Sequence, residues 1–137
     1  MPFRCDVSEA GFVTTTVVGT VGLEEIRAHL SEARRRNIHR LPGVTDLRGA
    51  ASETVTVRDL LSMARLAWDT IGETTAPRAV VVGSRRHFEW ARTFAGLVAG
   101  WMPIGVFTDI DEAWRWLEHR AARRVAEPEQ RVAARRA

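Results

Sequence analysis

The sequence of 137 residues contains no lysine, no tyrosine and only one cysteine, Cys5. A single cysteine excludes an internal disulfide, and such scarcity is typical of proteins in reducing compartments. No stretch approaches the ~20 consecutive apolar residues that a membrane-spanning helix requires, and the N-terminal residues lack the apolar segment of a signal peptide. We therefore expect a cytoplasmic protein without a membrane span.

Because lysine is absent, all 20 basic residues are arginines, and the formal net charge is +3. Their distribution is uneven: residues 120–137 contain six arginines and two glutamates, whereas the first 119 residues contain fourteen arginines and fifteen acidic residues. Domains that bind nucleic acid usually carry a basic face on the folded part. Here the basic excess lies at the C-terminal end, which argues against nucleic acid as a partner.

Five segments rich in β-branched and apolar residues are predicted to be strands. They are residues 3–7, 12–18, 44–47, 79–82 and 103–107. The turn residues 8–11 join the first two strands into a hairpin. The polar residues 48–55 are predicted to form a loop after the third strand.

Four segments with apolar residues at helical spacing are predicted to follow the second, third, fourth and fifth strands. Thr56, Ser84 and Asp109 precede three of these helices and are predicted to be their N-caps. Asp59 and Glu112 have the capping-box spacing, three residues after Thr56 and Asp109. The element order ββαβαβαβα predicts an α/β fold in which helices pack against a mixed β-sheet.

The composition changes near residue 123, after which alanine, arginine and glutamate predominate. We predict that residues 1–122 form a single domain. Residues 123–137 are predicted to be an Arg-rich helical extension or a disordered tail.

Three segments resemble the SpoIIAA-like family, whose domains have a STAS-like fold. Residues 106–117, which read Val-Phe-Thr-Asp-Ile-Asp-Glu-Ala-Trp-Arg-Trp-Leu, resemble the closing strand and helix of that family. Residues 44–49 and 78–83 resemble its central strand and its next strand. The resemblance covers residues 3–119 and implies a non-enzymatic regulatory or protein-interaction module of STAS type. Relatives include anti-sigma-factor antagonists and, more remotely by fold, carriers of hydrophobic ligands.

The antagonists of this kind carry a phosphorylatable serine in an Asp-Ser-Ser-Gly sequence, at the start of the helix after the central strand. Residues 50–56 read Ala-Ala-Ser-Glu-Thr-Val-Thr instead, so we expect no phospho-serine switch. The loop and helix start after the third strand are predicted to contact an unidentified protein partner. This interaction face comprises Asp46, Arg48, Ser52, Thr54 and Thr56.

No catalytic constellation is recognisable in the sequence. The Gly-x-Ser-x-Gly pattern is absent, and Ser84 is better explained as a helix cap than as a nucleophile. Cys5 is interpreted as a small core residue. Glu25 and His29 lie one helical turn apart but supply only two metal ligands. We therefore predict no catalytic residue, no cofactor and no metal.

An alternative function is the binding of a small hydrophobic or lipid-like molecule. Five tryptophans are many for this length, and aromatic or methionine side chains outside a core often mark a binding surface. Trp68, Trp90, Trp101 and Met102 are the candidates for lining such a pocket. Packing at the edge of the core is the other explanation for each of them.

Ser84, Arg85 and Arg86 form a candidate anion site, because amides at a helix N-terminus and guanidinium groups both bind anions. The other explanation is an ordinary helix cap with solvated arginines. The sequence does not determine the oligomeric state, and a homodimer with twofold symmetry is the default for self-association.

Overall fold

Five strands form one mixed sheet, whose spatial order β1-β2-β3-β4-β5 is the order of the strands along the chain. The strands are β1 (Phe3–Val7), β2 (Val13–Thr20), β3 (Gly43–Ala51), β4 (Arg78–Val81) and β5 (Ile104–Phe107). β1 is antiparallel to β2, and the other pairs are parallel. The computed structural model describes the backbone of residues 2–51 and 55–136 and the side chains of residues 2–51 and 55–123.

Helices cover the two faces of the sheet unequally. They are α1 (Leu23–Arg35), α2 (Val57–Thr70), α3 (Arg85–Val98) and α4 (Ile110–Arg136), with a short 3-10 helix (Ile38–Arg40) before β3. Because successive parallel strands are added in one direction, right-handed crossovers place their helices on one side. Helices α1, α2 and α3 therefore pack side by side on what we name the three-helix face. Helix α4 crosses β3, β4 and β5 on the opposite face, the α4 face.

The predicted order ββαβαβαβα is confirmed, but the prediction of a loop from residue 48 to residue 55 is wrong in its first half. Strand β3 continues to Ala51, because Val18 and Thr20 of β2 pair with Gly49 and Ala51. The backbone groups of a strand form ladder hydrogen bonds whatever the polarity of the side chains. The polar composition of this stretch therefore did not reveal the strand.

Side-chain caps fix the starts of three helices. The Thr56 hydroxyl accepts a hydrogen bond from the Asp59 amide at 3.2 Å, and the Asp59 carboxylate accepts one from the Thr56 amide at 2.8 Å. The Ser84 hydroxyl accepts from the amide of His87 at 3.1 Å. The Asp109 carboxylate accepts from the second and third amides after it. These bonds satisfy amides that have no partner inside the helix.

The core of the α4 face is densely packed. Val44, Ala79 and Val81 of the sheet and Ala113 and Leu117 of α4 are all 0% exposed. Partly buried aromatic side chains, including the two tryptophans of α4, surround this cluster. The α4 backbone continues as a helix to residue 136, and the division of the chain at residue 122 stays a prediction.

Candidate functional site

A cavity of about 320 Å³ lies between the sheet and helices α1, α2 and α3. Its wall consists of the strand side chains on the three-helix face and of the inward side chains of the helices. Most of these are apolar, as Val17, Leu30 and Ile104 illustrate. Protein cores normally contain few voids larger than a water molecule. A space of this size is therefore part of the architecture and not a minor packing fault.

Alternate residues of the central strands are less completely buried on the three-helix face than on the α4 face. On β4, Ala79 and Val81 face α4 and are 0% exposed, whereas Val80 lines the cavity and is only half-buried. On β3, Val44 is fully buried, while its neighbour Thr45 lines the cavity and is also half-buried. Three helices cover this face of the sheet, so the remaining exposure of these side chains is exposure to the cavity.

Small side chains on the helices create this space. Each of the three covering helices contributes an alanine to the wall: Ala33 in α1, Ala67 in α2 and Ala91 in α3. A leucine at such a position would extend several carbon atoms further toward the sheet. Because helix-to-sheet distances are set by the whole layer, short side chains at these positions leave a gap instead of drawing the helices inward.

Polar groups gather at one part of the wall, where β1 and α1 meet. The Cys5 sulfur lies 3.5 Å from Thr15 Oγ1 and 3.9 Å from His29 Nδ1. The Phe3 ring stacks on the His29 ring with centroids 4.3 Å apart. Burial, and then the positive charge of Arg78, lower the pKa of His29 to about 4. The imidazole is therefore neutral at neutral pH.

Arg78 lines the cavity, and sequence analysis gave it no functional role. Alternation along β4 places its side chain on the same face as Val80, under the helices. This alternation was a signal available in the sequence, because an arginine at an inward strand position is a buried charge. The strand was predicted from the apolar residues 79–82, so Arg78, its first residue in the structure, lay outside the prediction.

The four predicted pocket residues fall into two pairs. Trp90 and Met102 line the cavity. Trp68 and Trp101 are not among the described lining residues; their rings contact each other edge to face, with centroids 5.1 Å apart. Trp68 is 49% exposed. The structure thus associates only Trp90 and Met102 with the space in which a ligand could lie.

At the predicted anion site, the side chains extend along α3. Ser84 caps the helix through the His87 amide. Arg85 pairs with Glu89 at 3.5 Å, and the Arg86 guanidinium lies 5.9 Å from the centroid of the Trp90 ring. Anion binding at this helix start stays a prediction.

The described residues of the predicted interaction face lie at the carboxyl end of β3 and the start of α2. Arg48 binds Asp46 through two side-chain hydrogen bonds of 2.9 and 3.0 Å. These bonds are the main cause that lowers the pKa of Asp46. Thr56 is occupied as the cap of α2. Ser52 and Thr54 lie outside the described residues.

Within residues 2–51 and 55–123, no three His, Cys, Asp or Glu side chains are close enough to share a metal ion. In the same part of the chain, no helix combines the length and apolar character needed to cross a membrane.

Solved structures with low sequence identity are similar to this chain. The chain is similar to an uncharacterised protein from Shewanella loihica with a SpoIIAA-like fold, with 12% identity and a TM-score of 0.59 over 84% of this chain and 91% of that one. It also matches the unphosphorylated anti-sigma factor antagonist SpoIIAA, with 15% identity and a TM-score of 0.45 over 85% of this chain and 97% of that one. No curated protein sequence matches. Because the SpoIIAA-like family model matches residues 12–118, the chain belongs to the SpoIIAA-like family.

Proposed function

We propose that this protein is a non-enzymatic module that binds a small hydrophobic molecule in the cavity under α1, α2 and α3. The observation that carries the proposal is the cavity itself, about 320 Å³ in volume. This volume is within the ~300–1,000 Å³ typical of pockets for small ligands, which are mostly apolar with a few polar groups. The wall described above has that composition.

The difference in packing between the two faces of the sheet supports the proposal that the cavity binds a ligand. The α4 face shows that this chain can pack a core to completion, with Val44, Val81 and Leu117 fully buried. On the three-helix face, Val13 and Val17 are also buried, but Val80 keeps partial exposure beside the cavity, and a larger apolar side chain at Ala91 would fill part of that space. An empty apolar cavity lowers the free energy of unfolding by on the order of 1 kcal/mol for every one or two methyl groups that are missing. A ligand of matching size would recover the missing contacts.

We assign no catalytic role to the polar cluster of Cys5, Thr15 and His29. The 3.9 Å separation of Cys5 Sγ and His29 Nδ1 is longer than the ~2.6–3.2 Å expected of a nucleophile and its base. No carboxylate orients the His29 ring among the hydrogen bonds of the described residues. We therefore treat this cluster as the polar part of a binding wall.

The proposal predicts saturable binding of an uncharged amphiphile such as decanol. Trp90 lines the cavity, so occupation should change the tryptophan emission, and native mass spectrometry should show one bound molecule. The variant Ala91→Leu fills the cavity and should weaken binding at least ~10-fold. Ala28→Leu, on the exposed side of α1, is the matched control and should bind like the native protein. Absence of saturable binding to the native protein would contradict the proposal.

A second candidate, a regulatory or protein-interaction module without a phospho-serine switch, is supported by an exposed apolar strip. Val57 and Leu61 lie one turn apart at the start of α2, beside Thr56, and are 63% and 51% exposed. Exposed apolar side chains that cluster commonly mark protein interfaces. The carboxyl end of β3, with Asp46 and Arg48, precedes this helix.

This candidate predicts that Leu61→Glu abolishes recovery of a specific partner from an extract of the native host. Arg48→Glu should reduce it, because the substitution breaks the pair with Asp46 and reverses the charge of the face. Leu97→Glu, at an exposed leucine of α3, is the control. Recovery of the same proteins in the same amounts by all variants would exclude this face.

A further inference from the structure

The guanidinium group of Arg78 extends into space that a glycine in the neighbouring strand leaves open. Arg78 begins β4 and pairs in register with Gly43, the first residue of β3. A Cβ atom at residue 43 would lie 2.5 Å from Arg78 Nη1. The absence of a side chain at Gly43 therefore allows the arginine to extend across β3, over the sheet and under the helices.

The electrostatic neighbours of Arg78 agree with this direction, because its charge interacts with Cys5 in β1 and lowers the pKa of His29 in α1. Strand β1 lies beyond β3 on the side away from β4, and His29 Nδ1 lies 3.9 Å from Cys5 Sγ. The arginine thus spans the strands and brings its charge to the polar part of the cavity wall.

This positive charge has no counter-charge among the described residues around it. Among the described residues, the Arg78 side chain has no hydrogen bond and no ion pair, whereas its backbone amide donates to the Pro103 carbonyl. The described cavity wall contains Arg78 and three histidines but no aspartate or glutamate. His29 is neutral at neutral pH, since its pKa is about 4. The described part of the cavity wall is therefore mostly apolar and carries a net positive charge.

A half-buried charge without a partner, beside an apolar wall, is costly. Moving an isolated ion from water into a protein interior costs several kcal/mol even after relaxation, and charges that remain buried are normally paired. Burial lowers the pKa of Arg78, but a guanidinium group stays protonated throughout the physiological range. An anion in the cavity would remove this cost and would form charge-assisted hydrogen bonds with the two parallel N–H groups of the guanidinium.

We infer that the cavity ligand is an apolar carboxylate, such as a medium-chain fatty acid, whose carboxylate binds the Arg78 guanidinium while its hydrocarbon part contacts the apolar wall. The inference rests on the proposed ligand-binding function and specifies its substrate class. A carboxylate fits better than a phosphate ester, because the described wall offers one permanent cation and a carboxylate carries one charge. The planar fork of the guanidinium matches the two carboxylate oxygens.

The test compares decanoate with decanol, which have the same chain length and differ in the charged group. Isothermal titration of the native protein at neutral pH should give at least ~10-fold tighter binding of decanoate. Arg78→Gln should remove this preference, because it should weaken decanoate binding ~10-fold or more relative to decanol binding. Arg115→Gln, an exposed position on α4, is the matched control and should retain the preference.

The outcomes separate the two proposals. If neither compound binds the native protein, the ligand-binding function itself is wrong. If both bind with equal affinity, only the carboxylate inference fails, and a preference that persists in Arg78→Gln excludes Arg78 as its cause. Arg78→Met provides a measurement without ligand: removal of an unpaired charge should leave the melting temperature equal or higher. A lower melting temperature would show that the guanidinium already has a stabilising partner.

Discussion

Replacing Leu117 with alanine is expected to lower the free energy of unfolding by about 4 kcal/mol, near the upper part of the range for leucine-to-alanine changes in cores. Leu117 is 0% exposed and lies in the cluster with Val44, Ala79 and Val81 on the α4 face. Removal of its branched carbon atoms would leave a cavity in a closely packed region. The main-chain hydrogen bonds of this helical turn restrict collapse around the gap. Urea unfolding, followed by circular dichroism, measures the difference.

Leu30 provides the matched comparison, because it is also a leucine in a helix and the change in helix propensity is the same. Its side chain lines the cavity and is only half-buried, so part of its surface already lacks contact with protein atoms. Leu30→Ala should therefore cost about 2 kcal/mol or less. Equal losses for the two variants would mean that the three-helix face is packed as closely as the α4 face.

Acidification from pH 6.5 to pH 4 is expected to remove about 3 kcal/mol of stability through His29. The pKa of this histidine is lowered from 6.5 to about 4 in the folded state, first by burial and then by the charge of Arg78. In this range the unfolded chain binds a proton that the folded protein does not, so stability falls as the pH falls. Each pKa unit corresponds to about 1.4 kcal/mol.

The effect of His29 can be isolated by comparing two variants across that pH range. His29→Gln should reduce the loss to a small fraction, while His119→Gln, at an exposed position on α4, should show the full loss. The hydrogen-bonded carboxylates Asp46 and Asp59 contribute to the loss of stability mainly at lower pH, because their pKa values in the folded protein lie below the ordinary 3.8. An unchanged pH dependence in His29→Gln would contradict the buried, neutral state of this ring.

The sequence was sufficient to predict the architecture because the signals of its elements are local. Apolar spacing identified the helices, and Thr56, Ser84 and Asp109 marked three of their starts by the chemistry of capping. The end of β3 was missed because Gly49 and Ala51 are held in the strand by pairing with β2. That pairing joins distant parts of the chain and leaves no local pattern.

The cavity could not be predicted from the sequence for a similar reason. Ala33, Ala67 and Ala91 are ordinary helix residues by themselves, and only their common orientation toward one region of the sheet makes the space. The roles of Gly43 and Arg78 likewise depend on their pairing across β3 and β4. Tryptophans, by contrast, are conspicuous in a sequence, and two of the four predicted pocket residues, Trp68 and Trp101, contact each other instead of the cavity.

The strand order has a consequence for the way the chain assembles. Each strand pairs with its predecessor in the sequence, so no strand has to enter between two that are already joined, and the sheet can grow one strand at a time as the chain emerges from the ribosome. Helix α4 comes last, and until it docks, Val44, Ala79 and Val81 form an uncovered apolar surface. The interval between completion of β5 and docking of α4 is therefore the stage at which we expect the nascent protein to be most prone to aggregate.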